Sequence, residues 1–296
     1  MSSYYSIKRV SPHLIDRYAF TLIKESDQCF IHKGAFNNTL VVVRTFKKFH
    51  KGCKAILELT ENEIRGVKRV DRFNLLKVYG FFVDVVDALP RVSIILEYCT
   101  KGYLREVLYK EQDLPFKTRL DMALDCCTGL ASVCKYTKKP YEHLSSVNFL
   151  VDGDYTTKIL CHGLEKTLSV PPFKNVNMLV YRPRRILLDI FSKYTEKDDM
   201  YGLGVVLWEI FTGHVPFNNA TTADIYDAVV NKNDELKIDT KCPRYIKNVV
   251  DRCTSHQEDT RPTLNEVLHK ISMYRCVMQA DELLETDVYA TTFFNT

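Results

Sequence analysis

Lys197-Asp198-Asp199-Met200-Tyr201-Gly202-Leu203-Gly204-Val205-Val206-Leu207-Trp208-Glu209-Ile210-Phe211-Thr212-Gly213-His214-Val215-Pro216-Phe217 opens with charge, turns apolar from Leu203 to Phe211, and stops at Gly213 with Pro216 just beyond. Acids in a first turn answer the positive end of a helix dipole, and a glycine after the last apolar residue is a stop signal. Side chains from Leu203 to Phe211 are apolar on nearly every face, so the pattern predicts a helix buried all round. A membrane span is the rival reading; the run is too short for one and Glu209 interrupts it. A wholly buried helix requires other elements packed on several sides of it.

Length and composition agree with that picture. The chain has 296 residues, 46% hydrophobic and 26% charged, which suits a globular protein with ample core. Its net charge of +4 is too mild to argue for nucleic acid or a membrane surface as a partner. Ten cysteines are scattered without zinc spacing, and the first ten residues lack the apolar run of a signal peptide. These features lead us to expect reduced thiols without disulfides, no metal, and a cytoplasmic location.

Outward from the central helix, the first hundred residues read as strands around one helix. Phe20 to Ile23, Phe30 to His32 and Leu40 to Phe46 are predicted strands, with Asn37-Asn38 a turn. Ile56, Leu59, Ile64 and Val67 recur at helical spacing within Ala55 to Val70. Leu75 to Val83 and Val92 to Tyr98 are two further strands. After Tyr98 the chain turns helical: Leu104 to Lys110, Lys117 to Tyr136, Thr221 to Val230, Pro243 to Cys253 and Thr263 to Tyr274. Phe149 to Val151 and Lys158 to Leu160 are short strands around an Asp152-Gly153 turn. Thr263 with Glu266 spells a capping box. The expected class is α+β.

The central stretch resembles the large-lobe helix of protein kinases, D-V-W-S-x-G-V-x-L-W-E-x-x-T-G-x-x-P-F. Ile94-Ile95-Leu96-Glu97-Tyr98-Cys99 resembles the kinase hinge, and Asp259-Thr260-Arg261-Pro262-Thr263 the late R-P-T motif. The resemblance implies a two-lobed kinase-like fold: an extension over 1–17, a small antiparallel lobe over 18–98, a large helical lobe over 99–275, and a tail over 276–296. Phe46-Lys47-Lys48, Glu97-Tyr98-Cys99 and Ser145-Ser146-Val147-Asn148-Phe149-Leu150-Val151 are similar to the mixed-lineage kinase domain-like (MLKL) pseudokinases of necroptosis. Without their N-terminal killer domain, the chain looks like the stand-alone homologues carried by some poxviruses.

Phosphoryl transfer depends on a few charges placed around ATP and magnesium. The stretch Lys24 to Phe30 occupies the glycine-loop position and contains no glycine, while Glu25 and Asp27 would repel phosphate. Val41-Val42-Val43-Arg44 stands for V-A-I-K. Arg44 is not equivalent to lysine at a phosphate contact, and the methyl groups of Val42 crowd the adenine position. We expect Arg44 to form a structural ion pair with Glu63. His143 holds the catalytic-base position and Cys161 the D-F-G metal position, where a thiol is a poor magnesium ligand. Asn148, Gly163, Asp199 and Arg261 remain as residual motif residues. Arg182-Pro183-Arg184 replaces A-P-E, so the usual glutamate–arginine brace to Arg261 is unavailable; Asp189 or Asp259 are candidate substitutes. Arg184 and Arg185 are alternatively partner-facing.

These losses predict a domain with no catalytic residues and no cofactor. The resemblance implies a partner, receptor-interacting protein kinase three of the host, and a decoy that blocks phosphorylation of the host relative and so inhibits necroptosis in the host cytosol. Phe191 and Tyr194 are candidate partner-binding aromatics, with core packing the alternative for Phe191. An atypical active serine/threonine kinase and a nucleotide-binding scaffold without catalysis are the alternatives in function.

Overall fold

A computed structural model describes residues 9–11, 20–25, 29–64, 74–86, 88–142, 144–160, 178–232, 234, 236–238 and 242–293, without the side chains of 57–64, 86, 136 and 281–293. Contacts divide the chain into two units. One gathers Met1–Leu104, Ser132–Tyr141 and Val147–Val176; the other gathers Arg105–Ala131, Glu142–Ser146 and Asn177–Thr296.

The first unit is built on a five-stranded antiparallel sheet. Its strands are β1 (Thr21–Glu25), β2 (Cys29–Phe36), β3 (Thr39–Phe46), β4 (Val78–Val86) and β5 (Leu89–Glu97), in the order β1-β2-β3-β5-β4. Asn37 and Asn38 both take positive φ (48° and 59°) in the tight turn between β2 and β3, a conformation asparagine tolerates well. Strand periodicity sends alternate residues of β3 to opposite faces. Val41 and Val43 pack with Phe82, Ile95 and Val10 on one face. Phe46 and Val42 pack with Val92, Ile94, Leu96 and Leu160 on the other.

Helix α1 (Phe49–Ile64) covers this second face through Ala55, Cys53 and Ile56. It starts six residues before the expected Ala55. Gly52 explains the offset: a Cβ there would lie 2.4 Å from Cβ of Val92, so a residue that reads as a helix breaker is the one that lets the helix approach β5.

A second, three-stranded sheet joins β6 (Gly102–Tyr103), β7 (Phe149–Val151) and β8 (Thr157–Ile159). It is tied to the chain entering β4. Leu76 N donates to Ile159 O (2.9 Å), Ile159 N to Asn74 O (2.8 Å), and Asn74 Nδ2 to Thr157 O (3.0 Å).

The other unit is mostly helical; of the helices named next, Leu104 of α2 and Ser132–Thr137 of α3 group with the first unit. In chain order the helices are α2 (Leu104–Lys110), α3 (Phe116–Thr137), α4 (Arg184–Leu188), α5 (Glu196–Thr212), α6 (Thr222–Tyr226), α7 (Arg244–Cys253) and α8 (Leu264–Phe293); a π-helical turn, Asp227–Lys232, follows α6. α5 is the helix expected from the opening stretch. Every residue from Asp198 to Ile210 is buried, as the all-round apolar pattern requires. Gly213 closes α5 in the left-handed region (φ 71°), its N–H donating to Glu209 O. The carbonyls left over at this end meet Arg119, which donates to Ile210 O (2.6 Å), Gln112 O (2.6 Å) and Leu114 O (3.2 Å). A buried guanidinium thus satisfies the helix C-terminus and the loop beside it.

Two expectations at helix ends change. Pro243 precedes the first residue of α7 rather than occupying it. α8 does not stop near Tyr274 but continues to Phe293, since no glycine or proline interrupts 264–293. The capping box of α8 forms, with Thr263 Oγ1 donating to Glu266 Oε2 (2.9 Å) and Glu266 N donating back to Thr263 Oγ1 (3.3 Å).

Candidate functional site

In the first unit, Arg44 on β3 faces inward and is 2% exposed. Its Nε donates to Cys29 Sγ at 3.3 Å and its guanidinium lies 5.9 Å from the centre of the Phe46 ring. Val42, two residues earlier on the same face, packs against the cluster of Leu96, Cys99 and Leu160, joined there by Leu150. Around Val42 this face of the sheet is therefore lined by packed apolar side chains. The Glu63 side chain lies outside the described residues, as do His143, Cys161 and Gly163.

Described residues nearby in the chain are hydrogen-bonded to one another. Tyr141 is fully buried and its hydroxyl donates to Leu160 O at 3.2 Å. Asn148, 6% exposed, accepts Leu160 N through its backbone carbonyl at 2.9 Å. Beside the hinge, Lys158 pairs with Glu97 and reaches Asp152 Oδ2 at 3.3 Å. Cys99 is buried, and desolvation pushes its thiol up to about 12, with the Glu97 carboxylate adding to the effect.

The second unit contains a polar network that the sequence reading did not find. Glu209, the acid that interrupts the apolar run, is 1% exposed and receives three donors. Arg105 Nη2 lies 2.7 Å from Oε2, Ser146 Oγ donates to Oε2 at 2.9 Å, and Tyr181 OH donates to Oε1 at 2.5 Å. Arg105 also donates to Ser146 Oγ through Nε (3.0 Å) and to the Tyr181 hydroxyl. Burial pushes the Glu209 carboxyl above its ordinary range, against the pull of Arg105 and both hydroxyls. The Tyr181 phenol is pushed up as well, first by burial and then by the Glu209 charge. One signal was available in the sequence: a glutamate inside an apolar run needs a buried partner.

Asp199 accepts Glu142 N at 3.0 Å through Oδ1, fixing a residue held at φ 60° next to the catalytic-base position. Arg261 is 3% exposed, and burial lowers its pKa. It donates to Ser255 O (2.8 Å) and Lys197 O (2.9 Å). Among the described residues the acid paired with Arg261 is Asp198, rather than Asp189 or Asp259. Asp198 is fully buried, pairs with Arg185, and sits 3.9 Å from Arg261 Nη1. It also accepts Thr195 N (2.8 Å) and Thr195 Oγ1 (2.9 Å), so one carboxylate both caps α5 and bridges two arginines. The spacing Thr195-x-x-Asp198 is a capping-box signature.

The remaining candidates lie along 184–194. Arg184 is exposed and held by Nε donating to Val230 O at 2.9 Å. Arg185 is half-buried, engaged with Asp198 and with Glu258 Oε2 at 3.4 Å. Tyr194 is half-buried. Phe191 is 91% exposed, which removes the core-packing alternative; Ile190 (66%) and Leu188 (57%) are exposed beside it. Single exposed apolar residues are ordinary on a protein surface, but three within four positions form a patch.

A family model described as protein tyrosine and serine/threonine kinase matches residues 17–271. The chain belongs to that family. Human mixed lineage kinase domain-like protein is 31% identical over 278 residues, covering 90% of this chain and 59% of the relative. The mouse protein of the same name is 29% identical over 255 residues, covering 83% and 54%. Human receptor-interacting serine/threonine-protein kinase 1 is 27% identical over 265 residues, covering 82% and 38%. The kinase-family chain spans little more than half the length of its two MLKL relatives. Among its described residues no helix is long and apolar enough to cross a membrane, and the cysteines are free thiols.

Proposed function

We propose that this kinase-family domain is catalytically inert and works by binding: it occupies receptor-interacting protein kinase three and so blocks recruitment and phosphorylation of the host mixed lineage kinase domain-like protein, inhibiting necroptosis in the host cytosol. In this reading it is a decoy of the kind poxviruses carry. The observation that carries the reading is Phe191, 91% exposed next to exposed Leu188 and Ile190 on a chain 31% identical to human MLKL. A large aromatic with no packing role of its own and a polar surround has the composition of an interface hot spot.

The nucleotide side supports inertness. Arg44 stands in place of lysine and is directed into the protein against Cys29 and Phe46, while Val42 is packed into the apolar cluster. His143 and Cys161 in the base and metal positions supply neither a carboxylate nor a hard oxygen ligand. Such groups act as a unit, so losing several is not rescued by one survivor such as Asn148.

The test is binding of the purified chain to the kinase domain of receptor-interacting protein kinase three, alongside Phe191→Ala. The substitution is expected to weaken binding about tenfold or more, the cost of a truncated hot spot. The melting temperature should not move, because the side chain is exposed. Undiminished binding by Phe191→Ala would remove Phe191 as the anchor, and absence of any complex would refute the decoy reading.

A further inference from the structure

The loop that carries Phe191 is short and exposed, yet it is held by several hydrogen bonds. Asp189 N donates to Arg185 O at 3.1 Å, anchoring the loop to the last turn of α4. The Asp189 carboxylate then accepts Phe191 N at 3.0 Å through Oδ1 and Ser192 Oγ at 2.9 Å through Oδ2. Ser192 N donates to Asp189 O at 3.1 Å, and Arg185 Nη2 reaches Lys193 O at 3.2 Å. One carboxylate is thus the hub of the 189–192 turn. Its donors, Phe191 N first and Ser192 Oγ next, hold the carboxyl below its ordinary range, so it is ionised at neutral pH.

The surface around the turn has a defined character. Arg184 and Leu188 are one helical turn apart on α4 and both are exposed, so a cation and an apolar side chain share one face. Ile190 and Phe191 extend the apolar part, and exposed Lys193 adds a second positive charge beyond it. Arg184 is itself oriented by its bond to Val230 O. A projecting apolar feature with basic residues at its edge complements an apolar recess with carboxylates at its edge.

We propose that Asp189 is a positioning residue for partner recognition: its carboxylate presets the turn that presents Leu188, Ile190 and Phe191 as an apolar knob with a basic rim, matched to an acid-rimmed apolar socket on the partner. The proposal rests on the decoy reading for the partner's identity, not for the state of the loop. Presetting matters because a segment ordered before contact does not have to be ordered during it. The expected signature is weaker binding when the turn is loosened although every apolar contact residue is retained.

Asp189→Ala tests this, with Asp189→Asn as the conservative variant, whose amide oxygen still accepts Phe191 N. In the free protein, Asp189→Ala should speed hydrogen exchange at the Phe191 amide about tenfold, and Asp189→Asn should restore most of the protection. Against the kinase domain of receptor-interacting protein kinase three, Asp189→Ala should weaken binding about threefold to tenfold with the melting temperature unchanged and Asp189→Asn close to wild type. Lys193→Glu should slow association and flatten its salt dependence. Unchanged exchange in Asp189→Ala overturns the preset turn whether or not that kinase binds. Wild-type affinity of Asp189→Ala where Phe191→Ala fails to bind overturns the positioning role and leaves the decoy reading standing. Faster association by Lys193→Glu overturns the acidic socket. Equal binding by Phe191→Ala and wild type sinks the anchor itself, a different result from any of these.

Discussion

Replacing Glu209 with alanine should destabilise the helical unit more than any surface change. In the folded protein its carboxylate takes Arg105, Ser146 and Tyr181 within 2.9 Å, and none of these groups is more than slightly exposed. Removing it leaves the Arg105 guanidinium without its counter-charge in a place water does not reach. Breaking a buried pair from one side costs about 3–5 kcal/mol. Glu209→Gln keeps the shape and some hydrogen bonding, so it should cost less, about 1–3 kcal/mol. Arg105→Met should resemble Glu209→Ala, since it strands the carboxylate instead. Arg105→Met with Glu209→Leu removes both charges together and should be far milder than the sum of the single changes. The hydroxyls of Ser146 and Tyr181 keep each other as partners at 2.9 Å. Urea unfolding at neutral pH, followed by tryptophan fluorescence from Trp208 on the same helix, measures each term. A cost below about 1 kcal/mol for Glu209→Ala, or a double variant additive within about 0.5 kcal/mol, would refute the claim that the four groups form one unit.

Two further outcomes follow from the site. ATP at millimolar concentration, with or without magnesium, should leave the melting temperature unchanged; a ligand at a hundredfold excess over its dissociation constant would add about 2.7 kcal/mol, so a rise of several degrees would show that Val42 and its neighbours leave room for a nucleotide. Native-state alkylation at pH 8 should modify exposed Cys276 quickly and spare Cys99, Cys126, Cys127 and Cys253 until unfolding, because burial pushes Cys99 and Cys253 up to about 12 and the other two higher than usual. Rapid labelling of any of those four, read by mass spectrometry of peptides, would contradict their burial.

Periodicity and punctuation carried most of the fold. The β-branched run within Leu40 to Phe46 marked the strand that became β3, and the unbroken apolar run of α5 announced its burial. Where the reading of the chain went astray, a tertiary contact overrode a local rule. Gly52 is helical because Val92 demands the close approach. The acid beside Arg261 was not legible because Asp189 and Asp259 lie nearer in the chain to the two arginine-bearing motifs. Asp198 instead supplies the charge from the neighbouring helix, doing so with the carboxylate that also caps that helix. The Arg105–Ser146–Tyr181–Glu209 group joins positions up to 104 residues apart, which no spacing rule connects. Exposure of Phe191 was equally open from sequence, since Leu187 is buried and Leu188 exposed in the same short helix.

The short stretch at Arg9–Ser11 sets a physical boundary that differs from the family boundary. Val10 is 8% exposed, lies in the cluster with Val41, Val43, Phe82 and Ile95, and donates its N–H to Phe81 O at 2.8 Å, while Arg9 bridges to Phe81 in parallel with β4. β4 is the edge strand of the sheet, so this stretch covers that edge at Phe81 as well as an apolar face. The family match begins only at residue 17. A chain cut there would keep every kinase-like element and still expose both, the combination that drives sheets to pair edge to edge. Solubility would fail before folding did, and the resulting self-association would be easily mistaken for a property of the intact protein.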